Sequence, residues 1–175
     1  EMVKEKIDVL INDSNKIDNR LEKMKNFDPF TYKEIFEWNQ YEKYVQVDNN
    51  DFILDLGCSK GYFYFKHADK NINYLGVDGS VDCIQDFLIN LNGDDRPKLI
   101  NAVLDKSKNI LNFESMFHDN RVNRSLSITF EDLIFMINRK IDFLKFDVEG
   151  YEKYFLYENL DLFKKHVKKF TGEFH

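Results

Sequence analysis

From Asn49 onward the chain alternates short apolar runs with amphipathic stretches, and few architectures accept that alternation. The runs Phe52–Leu56, 73–77, 98–103, Ile141–Phe146 and 168–175 have the length and the aromatic or branched content of strands. The stretches 62–67, Val81–Leu91, Phe130–Ile137 and 151–165 carry apolar residues at helical spacing. Strands that are apolar almost throughout, separated by helices, build a parallel sheet covered on both faces. The predicted fold is therefore α/β, a Rossmann-like, doubly wound and mostly parallel sheet. Residues 109–127 show weak periodicity and read as a loop-rich insertion.

The first 47 residues follow a different pattern. Val3, Ile7, Leu10, Ile17, Leu21 and Met24 form one stripe of an amphipathic helix. The stripe would pack on its own domain or pair with a second copy to make a homo-oligomer. A second helical stretch follows Asp28-Pro29 and carries Phe30, Ile35, Phe36, Trp38, Tyr41 and Tyr44. Such aromatics read as core or as the wall of a substrate pocket. The expected division is a helical extension over residues 1–47 and an α/β domain over residues 48–175.

Charge narrows the function classes. Twenty-five Lys and Arg against 31 Asp and Glu leave a formal charge of -6, which argues against nucleic acid and anionic membrane as partners. The basic group Lys164, Lys165, Lys168 and Lys169 reads as a helix C-terminus at least as well as a phosphate groove. Cys58 and Cys83 are too few for a disulfide framework or a cysteine zinc site. No run of about 18 apolar residues would span a bilayer and no apolar leader opens the chain, so the expected location is cytoplasmic.

In an open parallel sheet, ligands bind beyond the carboxyl ends of the strands. The first strand leads into Asp55-Leu56-Gly57-Cys58-Ser59-Lys60-Gly61, an acid followed by two glycines at a strand-to-helix turn. The spacing is neither that of a dinucleotide fingerprint nor that of a phosphate loop, which disfavours a nicotinamide oxidoreductase. The second strand ends in Asp78-Gly79-Ser80, and Asp78 follows Asp55 at about the 20-residue interval at which such folds place a ribose-binding carboxylate. Its competing role is to cap the next helix, for which Ser80 is the more natural residue. The fourth strand ends in a cluster of carboxylates, Asp147, Glu149 and Glu152, with Glu173 and His175 at the end of the fifth. Lys145 shares a strand face with Asp147 and could pair with one of these acids. Glu152 sits in the first turn of a helix, where a negative charge is structural.

Asp55-x-Gly57-x-x-x-Gly61, Asp78, the run Leu144-Lys145-Phe146-Asp147-Val148-Glu149-Gly150-Tyr151-Glu152 and the final Gly172-Glu173-Phe174-His175 together resemble the FkbM-type branch of the class I S-adenosylmethionine-dependent methyltransferases. The resemblance covers about Asp51 to His175. It implies that Asp55 meets the ammonium of S-adenosylmethionine, with Gly57, Cys58, Ser59 and Gly61 supplying the surrounding loop. It implies further that Asp78 and Gly79 hold the ribose, that Ala102 and Val103, with Asn101 beside them, border the adenine, and that Asp147 lines the same site. Lys60 falls at a variable loop position and is expected to be solvated. His67, His118 and His166 are expected at the surface.

The activity the resemblance implies is methyl transfer to a hydroxyl of a sugar, glycan or other small polar acceptor. An aliphatic hydroxyl needs a base, and Asp147, Glu149 and His175 are the candidates. A hard divalent cation on Asp147, Glu149 and Glu173 is the less favoured route. Five strands fall short of the seven the resemblance implies, so the last strands are expected to be missing from this chain. The competing readings are a nucleic-acid ribose or cap methyltransferase, which the acidic charge disfavours, and a noncatalytic S-adenosylmethionine-binding assembly module.

Overall fold

The computed structural model describes residues 20–114 and 122–173, so His118 and His175 and most of the first apolar stripe lie outside the described residues. The chain divides between Gln40 and Tyr41 into two compact units, and Tyr41 to Val47 belong with the larger one. In the smaller unit residues 20–27 are helical. A short helix, Pro29–Tyr32, follows; its N-terminus is capped by Asp28, whose carboxylate accepts from Thr31 N at 3.1 Å. The helix widens into a π-helical turn over Lys33–Glu37, closed by Trp38 N donating to Lys33 O.

The larger unit is built on five parallel strands. They are β1 (Phe52–Leu56), β2 (Asn73–Asp78), β3 (Lys98–Asn101), β7 (Ile141–Phe146) and β8 (Val167–Gly172), in the spatial order β3-β2-β1-β7-β8. The helices are α1 (Tyr62–Lys66), α2 (Val81–Leu91), α3 (Phe130–Ile137) and α4 (Glu152–His166). Alternation along the strands sorts the core into two layers. Leu54, Leu56, Leu75, Val77, Leu144 and Phe146 share one cluster with Phe130 and Leu133 of α3 and with Phe155 and Phe163 of α4. The intervening residues face the other way, where Phe143 stacks on Phe63 at 5.7 Å and Tyr74 meets Tyr64 at 5.1 Å and Phe87 at 6.0 Å. The sheet is thus doubly wound, as the strand pattern predicts.

Two expectations about the third strand and the insertion are corrected. The run 98–103 is interrupted at Ala102, whose N–H turns back to Asp78 O at 3.0 Å; β3 stops at Asn101 and a separate β4 (Val103–Leu104) begins. The stretch read as loop-rich holds β5 (Ile110–Glu114) and β6 (Val122–Ile128), paired antiparallel, with β4 parallel to β6 in a second sheet of three strands. Its periodicity is weak because apolar residues stand exposed on it, Ile110 at 56% and Leu126 at 65%.

Gly57 controls how closely the ends of β1 and β7 approach. Its φ is +79°, and a β-carbon built on it would lie 1.8 Å from the carbonyl oxygen of Asp147. Gly93 has a similar φ of +90° with nothing within 4 Å. Gly93→Ala is therefore expected to cost only the strain of a left-handed alanine, about 1 kcal/mol, whereas Gly57→Ala should cost clearly more, measured as the difference in unfolding free energy between the two variants.

Candidate active site

The carboxyl ends of β1, β2 and β7 are tied to one another by main-chain bonds. Gly57 N and Cys58 N both donate to Val77 O, at 2.8 and 3.2 Å, and Asp147 N donates to Leu56 O at 2.9 Å. The turn after β1 uses left-handed backbone at Gly57, Ser59 and Gly61. A β-carbon on Gly61 would meet the Phe87 ring at 2.3 Å, so α2 closes on this turn only because no side chain is there. Cys58 is buried with its Sγ beside Gly76, and burial pushes its thiol well above the ordinary range.

Asp78 stands at the end of β2 with one oxygen accepting from Ser59 N and the other from Ser80 N, each at 2.8 Å. It does not cap α2. That is done by Ser80, whose side chain accepts from Cys83 N. Burial raises the Asp78 carboxyl above its usual range, against the pull of the two N–H groups. Asn101 donates through Nδ2 to the carbonyls of Asp78 and Gly79, at 2.9 and 3.0 Å, and so fixes the turn on which Ala102 and Val103 follow.

Asp55 is paired with Lys145 in the middle of the sheet. It is completely buried; Lys145 Nζ donates to its Oδ1 at 2.9 Å and the Tyr74 hydroxyl to its Oδ2 at 2.5 Å. Both oxygens are thus engaged inside the protein. The parallel register sets Asp55 directly beside Lys145, on the same face, which is why Lys145 pairs with this acid. Lys145 also donates to Gly57 O at 3.1 Å. Burial alone would lower its pKa, but the Asp55 and Asp147 carboxylates outweigh burial and the net shift is upward.

The turn after β7 has left-handed backbone at Glu149 and Gly150. Glu152, 1% exposed, spans it: Oε1 accepts from Val148 N and Oε2 from Gly150 N, both at 2.9 Å. Its structural role holds the turn that presents Asp147 and Glu149. Asp147 accepts from the Tyr41 hydroxyl at 2.5 Å, a contact across 106 positions of sequence. Glu173 N donates to Phe146 O, which brings the end of β8 against the same strand end. Among the described residues no group of three or more His, Cys, Asp or Glu could hold a metal ion, so Asp147, Glu149 and Glu173 do not gather into one.

The family model for the methyltransferase FkbM domain matches residues 27–168. The chain belongs to that family. No curated protein matches it significantly. Among solved structures it is similar to coclaurine N-methyltransferase bound to N-methylheliamine and S-adenosylhomocysteine, at 15% identity and a TM-score of 0.47, over 78% of this chain and 33% of that one. It is also similar to the plantazolicin methyltransferase BpumL in complex with a monoazolic desmethylPZN analogue and S-adenosylhomocysteine, at 15% identity and a TM-score of 0.40, over 94% of this chain and 49% of that one. A third likeness is to an S-adenosylmethionine-dependent methyltransferase from Clostridium acetobutylicum, with 15% identity, a TM-score of 0.40 and coverage of 71% and 42%. The chain spans half or less of the length of each of these three proteins.

In this FkbM domain two further expectations are corrected. Lys60 is 5% exposed, with Nζ 3.3 Å from Asp86 of α2, because the tight turn folds its side chain inward. His67 is 2% exposed and its Nε2 lies 3.1 Å from Glu42 Oε2, which Lys66 Nζ also approaches at 2.7 Å. The basic group near the C-terminus is divided: Lys164 and Lys165 close α4, Lys168 pairs with Asp142, and Lys169 pairs with Asp48 and Asp51.

Removing one member of a buried ion pair strands the other, at a cost of about 3–5 kcal/mol. Lys145→Met should show that loss in denaturant unfolding, and the double variant Lys145→Met/Asp55→Asn should recover part of it. Glu42 supplies a pH-dependent term. Burial would raise its carboxyl, but the bonds with His67 and Lys66 dominate and lower it from 4.5 to about 2. A depressed carboxylate stabilises the fold above its unfolded pKa, and that stabilisation is lost as pH falls through this window. The stability gap between the native chain and Glu42→Gln should therefore shrink between pH 4.5 and 2.

Proposed function

We propose that this chain binds S-adenosylmethionine over the carboxyl ends of β1, β2 and β3 and transfers its methyl group to a hydroxyl oxygen of a sugar, glycan or other small polar acceptor. The observation that carries the reading is Asp78. It is a carboxylate at a strand end whose competing task, capping α2, is taken by Ser80. Each of its oxygens accepts one main-chain N–H, and a carboxylate oxygen has capacity for a second donor. Two vicinal ribose hydroxyls match that capacity. The turn from Gly57 to Gly61 suits the methionine end, and Ala102 and Val103 suit the adenine edge.

When bound, the cofactor supplies an electrophilic methyl group on a sulfonium. The chain's own part is to orient the acceptor and to take a proton. Methyl transfer to the acceptor oxygen would release the hydroxyl proton, which a carboxylate of this chain would take. Asp147 is the base we assign, held at the end of β7 by the Glu152-braced turn, with Glu149 next to it. His175 is the third candidate. Asp55 supports the site from beneath through Lys145 and Gly57 O. Among the described residues no helix is long and apolar enough to cross a membrane. The proposed boundary of the binding domain remains near residue 48, with Tyr41 to Val47 packed onto it.

Calorimetric titration with S-adenosylhomocysteine, with NAD as control, tests the reading. Micromolar binding of the former alone is expected, and absence of binding would overturn it. Asp78→Ala should weaken that affinity by about 1–3 kcal/mol, the loss of hydrogen bonds to a charged group. Asp147→Asn should bind nearly as the native chain does and lose methyl transfer.

A further inference from the structure

The geometry points to Tyr41 as a positioning residue for Asp147, a role that rests on the reading of Asp147 as the proton acceptor. Tyr41 precedes the first strand and carries none of the motif residues. Its side chain is nonetheless 5% exposed and its hydroxyl donates to Asp147 Oδ2 at 2.5 Å. The ring is fixed on two sides: Phe63 meets it edge-on at 6.1 Å, and Lys145 Nζ stands 4.7 Å from its centroid. A cation at that distance over an aromatic face is attractive. Tyr41 therefore links the buried Lys145–Asp55 pair to the carboxylate at the end of β7.

The direction of the bond is settled by the surroundings. Burial first, then the charge and hydrogen bond of Asp147, and then Glu173 and Asp55, all hold the Tyr41 phenol protonated far above its usual range. The phenol is a permanent donor, so Asp147 is the acceptor. A carboxylate with one oxygen pinned by a buried donor has lost rotational freedom about its last torsion. That is what a base must have if it is to meet a hydroxyl proton in line with methyl transfer.

The test uses Tyr41→Phe, which removes the hydroxyl and keeps the ring, together with Asp147→Asn. In protein labelled with carbon-13 at tyrosine Cζ, the Tyr41 signal is the one missing from Tyr41→Phe. Asp147→Asn should shift that signal; an unmoved signal overturns the pairing, whatever the enzyme's activity. In the second arm, methyl transfer from labelled S-adenosylmethionine to methyl glycosides is followed. Tyr41→Phe should lower kcat by roughly tenfold or more, with KM for the glycoside and affinity for S-adenosylhomocysteine within about twofold of the native chain. Retained kcat overturns the positioning role. Failure of the native chain to bind S-adenosylhomocysteine would instead sink the proposed function, and the labelled tyrosine would still decide the contact.

Discussion

The buried ion pair between Lys145 and Asp55 is the interaction on which the arrangement of strand ends depends. It sits in the middle of the sheet, on the central strand β1 and its neighbour β7, at 3% and 0% exposure. Charges so placed are costly to desolvate and are stable only when every partner is present. Here the partners are the Tyr74 hydroxyl, the Gly57 carbonyl and the Tyr41 ring. Each comes from a different segment. The pair thereby fixes β1, β2, β7 and the residues before β1 relative to one another at the carboxyl ends of the strands, which apolar packing alone does with less directional precision.

The doubly wound sheet was legible because its strands are apolar and its helices amphipathic. Phe52–Leu56 and Ile141–Phe146 coincide with the runs that predict them, and Val81–Leu91 and Phe130–Ile137 do so among the helices. The small mixed sheet was not legible. Ile110 and Leu126 are left exposed on it, so burial imposes no clean alternation on 109–127 for a reader to detect. The break at Ala102 is a tertiary event, caused by a carbonyl on β2.

The placement of side chains at the strand ends was legible where a single strand decides it, as with Asp78 and Asp147. It was illegible where a role depends on strand register. Alternation places Lys145 on a face but does not say which acid stands across from it; the parallel register of β1 and β7 does. Tyr41 lies further beyond reach, because nothing local marks one aromatic among Tyr41, Tyr44 and Trp38 as the one that turns inward. The other two are exposed at 87% and 56%. Lys60 and His67 show the same limit: each is buried by a partner on another element, Asp86 for the first and Glu42 for the second.

Gly76 leaves a gap in β2, and the Cys58 sulfur fills it. A thiol wedged between a strand and its neighbouring turn is reached by an alkylating or oxidising reagent only when the two separate. Cys83 is buried as well, so both thiols are shielded in the native state. The chain thus carries its own clock for opening: the rate at which Cys58 is labelled reports how often the turn after β1 and the strand β2 come apart.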